Sequence, residues 1–157
     1  INSSLVILIF LIDRISKIYV INLDEKLTES EIFSSKFLNI YLVWNEGIAF
    51  GLFSFDEGKL YNFLTILISL ILLIILYLIF KSKGFAKYSL LMILGGALGN
   101  LFDRIFYKAV PDFIDFHVGN FHWFIFNVSD IFITIGIILM IFIEIINKPE
   151  TTNNEKI

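Results

Sequence analysis

The sequence contains no cysteine, only two prolines, and few charged residues: Asp, Glu, Lys and Arg together make up 17% of it. The missing cysteines exclude disulfides, thiol nucleophiles and thiolate metal sites. The charged fraction is below the roughly one-quarter usual in soluble domains. A formal net charge of −3 leaves no basic face to meet nucleic acid. With so few prolines, long apolar runs go uninterrupted. What fills the chain instead is Ile, Leu and Phe: 57% of its 157 residues are hydrophobic, and the mean hydropathy is +0.84. This is the composition of an integral membrane protein, and the length suits one helical bundle.

Four apolar segments are expected to span the bilayer, at about 5–21, 59–80, 88–106 and 124–146, since about 20 apolar residues cross the hydrocarbon layer as a helix. The first carries the polar cluster Asp13, Arg14, Ser16 and Lys17. Asp13 and Lys17 stand four apart, share a helix face and can pair along it. Lys17 alone reads equally well as a side chain reaching for the interface. The run continues past this cluster without a small-residue cleavage site, so it reads as a retained helix and not as a cleaved signal peptide. The chain opens on Ile1 without a methionine, and a short N-terminal piece is expected ahead of it.

An acidic connection follows over 22–36, and then FLNIYLVW over 37–44, a strand-like run ending in the turn signal Asn45-Glu46-Gly47. The apolar residues from 37 to 55 are too few to span a bilayer and read as lying on its surface. The second apolar segment has no ionisable side chain after Lys59 and reads as scaffold. In the third, Gly95 and Gly99 form a small-xxx-small pattern that admits a close helix neighbour. Lys81, Lys83 and Lys87 concentrate positive charge in one short loop, which places that loop in the cytoplasm. With an even number of spans, both termini are cytoplasmic and the 22–36 and 103–124 connections lie outside. The expected fold is an all-α membrane protein, a single domain over 1–157. It is a four-transmembrane-helix bundle with a short strand-bearing segment and a surface loop on its outer side.

This topology draws Asp13, Lys17, Asn45, Asn100, Asp103, Arg104, Asp112, Asn127 and Asp130 to one depth, the outer membrane–water boundary. Ionisable groups inside a bilayer are expensive unless paired or wetted, so their gathering marks a site. His117 and His122 are five apart, off helical spacing and beside aromatics. They read as interfacial side chains, with no metal and no cofactor expected. Ser16 and Lys17 are sequence neighbours on different helix faces and rank low as a nucleophile–base pair. Paired aspartates fit better, because two carboxylates about 4 Å apart repel by roughly 4 kcal/mol at an effective dielectric of about 20. One then keeps its proton while the other stays ionised and activates water. Asp112 and Asp130 are the best pair. Asp115 is the rival to Asp112 and reads as a solvated loop charge. Asp103 reads as structural, pairing with or capping its neighbours, and Arg104 as holding the loop or offsetting negative charge.

At this point the residues resemble a family, lipoprotein signal peptidase (signal peptidase II), the bacterial membrane aspartyl proteases. Asp13-Arg14-Ile15-Ser16-Lys17 is similar to the family's D-x-x-[ST]-K element, and Asn45-Glu46-Gly47-Ile48-Ala49-Phe50 to its N-x-G-x-A-F element. Gly95-Gly96-Ala97-Leu98-Gly99-Asn100 with Asp103-Arg104 matches G-G-A-x-G-N-x-x-D-R. Val110-Pro111-Asp112-Phe113 resembles V-x-D-F, and Phe126-Asn127-Val128-Ser129-Asp130 resembles F-N-x-[AS]-D. Pro111 and Ser129 depart from the commonest residues at their positions. Each element alone is weak; all of them in order over nearly the whole chain are specific.

The resemblance implies a catalytic dyad of Asp112 and Asp130. Asn45, Asn100, Arg104 and Asn127 would line the site, and Asp13, Lys17, Gly47 and Asp103 would support it. It also implies a small extracytoplasmic β-cradle at about 33–55 on the four-helix bundle that clamps the substrate, a diacylglyceryl-modified prolipoprotein substrate cut just before its lipidated cysteine, contact with membrane lipid, and inhibition by globomycin-type cyclic peptides. The enzyme would be a monomer in the bacterial inner membrane with its site at the extracytoplasmic face. Two other readings stand beside it. One is a small transporter or channel subunit with an aspartate proton or ion relay. The other is a non-enzymatic membrane adaptor.

Overall fold

The computed structural model describes residues 3–27, 31–47 and 57–147; residues 48–55 of the expected cradle lie outside them. Four long helices carry the chain: α1 (Ser3–Asp24), α2 (Glu57–Lys81), α3 (Gly84–Phe106) and α4 (Val128–Ile146). By length and composition, Tyr61–Lys81, Gly84–Phe106 and Val128–Ile146 are long and apolar enough to cross a membrane. Helix α3 is the hub, packing against α1, α2 and α4. The apolar core sits between α2 and α3, around Leu72, Ile79, Leu90, Leu91 and Leu94. The outward faces are also apolar, with Leu73, Phe80, Ile138 and Phe142 exposed. That inside-out pattern suits a lipid surround, where burial of apolar area no longer drives helix association and close packing must do so.

Small residues provide the close packing. A side chain at Gly136 would put its Cβ 2.7 Å from the Ser89 carbonyl oxygen and 2.6 Å from Ile93 Cγ1, so α4 lies directly on the α3 backbone there. A Cβ at Gly99 would run into Ser129 Oγ and the Asp13 carboxylate, which meet where α1, α3 and α4 converge.

Among the described residues, the connections between helices hold more regular structure than the sequence alone suggests. Strands β1 (Phe33–Ser34), β2 (Leu38–Asn45), β3 (Val110–Val118) and β4 (Phe121–His122) form one antiparallel sheet in that order. The 103–124 connection, expected as a surface loop, completes α3 and then forms β3 and β4. Lys108, at φ +60, turns the chain out of α3 and into β3. Its partner β2 explains why β3 forms: the strand-like run over 37–44 needs a second edge for its backbone groups. One extra β2 residue lies between the pairs Ile40–Ile114 and Val43–Asp112. Such a bulge bends a strand and re-aims its side chains, and bulges recur beside active sites.

Helix α4 begins at Val128, later than the apolar run that starts near 124. Asn127 caps it with a reciprocal capping box to Asp130. Phe126, just before the cap, pairs with Ile114 in an isolated antiparallel bridge. Replacing Gly136 with Leu should force α3 and α4 apart at about 1–3 kcal/mol of overpacking. This should appear as a lower melting temperature in detergent, while Ile138→Leu on the exposed face should leave melting unchanged.

Candidate active site

The Phe126–Ile114 bridge, with N–H···O distances of 2.9 and 3.0 Å, lays the start of α4 alongside β3. Asn127 therefore arrives beside Asp112. Its side-chain Nδ2 donates to Asp112 Oδ1 at 2.6 Å, and its backbone N–H donates to Asp130 Oδ2 at 3.0 Å. Its Oδ1 accepts from the Asp130 N–H at 3.3 Å, closing the capping box. One fully buried residue thus grips two carboxylates from different elements. The outer oxygens are held separately: Asn45 Nδ2 donates to Asp112 Oδ2 at 2.8 Å, and Asn100 Nδ2 donates to Asp130 Oδ1 at 2.8 Å.

Asn45 is oriented by its own turn, its Oδ1 accepting from the Gly47 N–H at 2.8 Å. Asn100 is oriented by Lys17, whose Nζ donates to Asn100 Oδ1 at 2.8 Å. Burial pushes the Asp112 carboxyl above the usual carboxylate range. The donors Asn45 and Asn127 oppose that shift, and the negative charge of Asp130 adds to it.

Beneath this pair lies a charge cluster joining α1 to α3. Lys17 Nζ meets Asp13 Oδ1 at 2.9 Å and Asp103 Oδ2 at 2.7 Å. Arg14 reaches Asp13 Oδ2 at 2.9 Å and Asp103 Oδ1 at 2.5 Å. Asp13, Lys17 and Asp103 are fully buried, so Lys17 does not reach for the interface. Two cations balance two anions. The remaining Asp13 valence accepts from the Ser129 N–H at 3.1 Å, next to Asp130.

Two expectations need correcting. Asp103 serves α1 across the bundle, because helical geometry aims it at Arg14 and Lys17, and it does not pair with neighbouring Arg104. Asp115 is not a solvated loop charge: it is fully buried on β3. Standing three residues from Asp112 on a strand, it faces the other side of the sheet and cannot join Asp130. Pro111 is likewise buried in β3, opposite Trp44.

Arg104 stands apart from the cluster. Its guanidinium lies 5.8 Å from the Tyr61 ring centroid, and its carbonyl accepts from the Tyr61 hydroxyl at 2.7 Å. Its Nη1 is buried without a hydrogen-bond partner among the described residues. A Cβ on Gly47, which sits at φ +82, would come within 2.7 Å of that nitrogen. Glycine there keeps the space clear. Arg14, absent from the sequence-based site, was signalled by charge arithmetic: Asp13, Arg14 and Lys17 on one apolar helix leave a net +1 that requires another buried acid.

The family model described as Signal peptidase (SPase) II matches residues 5–146. The chain belongs to the signal peptidase II family. It is 47% identical over 154 residues to the lipoprotein signal peptidase of Pelagibacter ubique, covering 98% of this chain and 93% of that one. With the lipoprotein signal peptidase of Aquifex aeolicus it shares 40% identity over 152 residues, covering 96% and 89%. A solved structure described as a bacterial membrane enzyme superposes with a TM-score of 0.76 at 30% identity, covering 99% of this chain and 93% of that one. The chain is therefore a membrane protease of the signal peptidase II type, as the motifs suggested.

Within this signal peptidase II, removing one member of a buried ion cluster leaves an uncompensated charge, at about 3–5 kcal/mol. Lys17→Met should accordingly lower the melting temperature in detergent sharply. Adding Asp103→Leu, which restores neutrality around Asp13 and Arg14, should recover part of that loss.

Proposed function

We propose that Asp112 and Asp130 are the catalytic dyad with which this signal peptidase II removes signal peptides from prolipoproteins, and that the cut falls just before a diacylglyceryl-modified cysteine. The observation that carries the reading is the two-handed grip of Asn127 on both carboxylates. Two carboxylates coupled electrostatically retain one proton between them. The ionised carboxylate takes a proton from a water molecule as the water oxygen attacks the scissile carbonyl carbon. The protonated carboxyl gives its proton to the carbonyl oxygen, producing a neutral tetrahedral diol. The newly protonated carboxyl then gives its proton to the amide nitrogen while the other carboxylate takes one from a diol hydroxyl, the C–N bond breaks to leave acid and amine, and each aspartate regains its starting protonation.

Arg104 takes the role of substrate holder, because its buried Nη1 has a donor to offer a peptide carbonyl. Asn45, Asn100 and Asn127 position the dyad. Asp13, Lys17 and Asp103 support Asn100 and the first turn of α4, and Gly47 leaves room for the guanidinium. A groove of about 330 Å³ runs from Asp130 along Phe116, Phe124, Phe126, Ile131, Thr134 and Ile135. Its aromatic and aliphatic walls suit an acyl chain or an apolar signal-peptide residue, and would also take the apolar part of a globomycin-type inhibitor.

Helix α1 is the fourth span, its charges satisfied inward by α3 so that its lipid-facing residues are apolar. The lysines after α2 then put both termini in the cytoplasm and the dyad at the extracytoplasmic face of the bacterial inner membrane. A monomer contains every group the reaction needs, as a single domain over 1–157. An ion relay is not favoured, since the charges of α1 pair with α3 in one local, neutral cluster instead of forming a file across the bilayer.

Purified enzyme with a diacylglyceryl-prolipoprotein should yield a mobility-shifted product. Asp112→Asn and Asp130→Asn should each slow cleavage by roughly 10²–10⁴-fold, the scale of losing a general acid–base group. Normal cleavage by either variant at normal protein level would remove that residue from the dyad. Asn45→Ala deletes a donor that stabilises ionised Asp112, so the limb of the pH–rate profile governed by Asp112 should move to higher pH.

A further inference from the structure

A second cluster of ionisable groups lies on the opposite face of the sheet from Asp112. Asp115 and His117 are two apart on β3 and so share a face, and His122 on β4 is the direct cross-strand partner of His117. The two imidazoles stack at 5.0 Å between centroids and 20° between planes. His122 Nδ1 lies 2.8 Å from Asp115 Oδ2, and Asn39 Nδ2 donates to the same oxygen at 3.4 Å. The three side chains each offer a ligand atom within 4.8 Å of the other two.

The dyad chemistry uses none of these groups, and their hydrogen bonding is incomplete. Asp115 is fully buried, yet its Oδ1 has no hydrogen-bond partner among the described residues, and neither does the buried His117 Nδ1. A buried carboxylate oxygen and imidazole nitrogen left unpaired in one small space are both costly and uncommon. Both belong to the same three-residue cluster.

We infer that Asp115, His117 and His122 form a binding site for a zinc-like divalent transition metal ion. Two imidazoles and one carboxylate are a donor set that zinc accepts, with the fourth tetrahedral position open to water. The imidazoles disfavour calcium and magnesium, which take oxygen ligands. Three ligands on one tetrahedral zinc stand roughly 3.3 Å apart, so the side chains must draw in slightly. His122, with its side chain 49% exposed, is the ring free to move and gives the ion access. Asn39 holds the carboxylate from behind, as an outer-shell donor does in metal sites. The site would clip β4 and its Gly119 turn onto the strand that carries Asp112, which makes it structural in character. Histidines five apart show no ligand spacing along the sequence; the hairpin register brings them opposite each other.

The test uses the untagged full chain in detergent, stripped with a chelator, and Zn²⁺ alone titrated against a competing chromophoric chelator. One Zn²⁺ should bind per chain, unaffected by excess Mg²⁺ or Ca²⁺. His117→Gln and His122→Gln should each weaken binding by about tenfold or more, while each variant melts as the parent does without metal. Absence of stoichiometric Zn²⁺, or equal binding by the double variant His117→Gln/His122→Gln, would overturn the assignment. The readout is independent of cleavage, so the dyad reading stands or falls separately.

Discussion

Asn127 holds two carboxylates at once, one through its side-chain amide and one through its backbone N–H. The rest of the structure depends on that contact. A capping residue normally satisfies only the open N–H groups of its own helix. Here the same residue also spans from a helix to a strand, so the geometry of a helix start fixes the geometry of a chemical site. The Phe126–Ile114 bridge sets its height, the bulge in β2 sets which β2 residues reach Asp112, and α3 supplies Asn100 from the other side.

The ion cluster below the dyad has a different purpose. Buried pairs contribute little net stability, because desolvation offsets most of their attraction. They do specify one arrangement, since any slip of α1 against α3 would strand a charge. Lys17 links this cluster to the dyad through Asn100, and Asp13 links it through the Ser129 N–H. A rigid, neutral foundation thereby holds two acids that would otherwise drift apart. The glycines on α3 and α4 make it possible, for only a residue without a side chain at Gly99 lets Asp13 and Ser129 approach each other.

Much of this was legible in the sequence. The apolar runs gave away the helices, and the polar residues interrupting them are largely the ones that the structure brings together around Asp112 and Asp130. Local chemistry is written locally: Asp13 and Lys17, four apart, announce a pair. The sheet was less legible, because β3 pairs with a strand some 70 residues earlier in the chain, and nothing within either segment names its partner. That hid the burial of Asp115 and the meeting of His117 with His122. It also made Asp112 look like a loop residue, when its strand alternation separates it from Asp115.

The coupling of Asp112 to Asp130 within one electrostatic site is what the proposed chemistry requires. Its most direct measurement is the titration of the Asp112 carboxyl, followed by isotope-edited infrared spectroscopy in the parent and in Asp130→Asn. If the two groups are coupled as described, removing the charge of Asp130 lets Asp112 ionise at lower pH. An identical titration with and without Asp130 would show that the two carboxyls are not coupled.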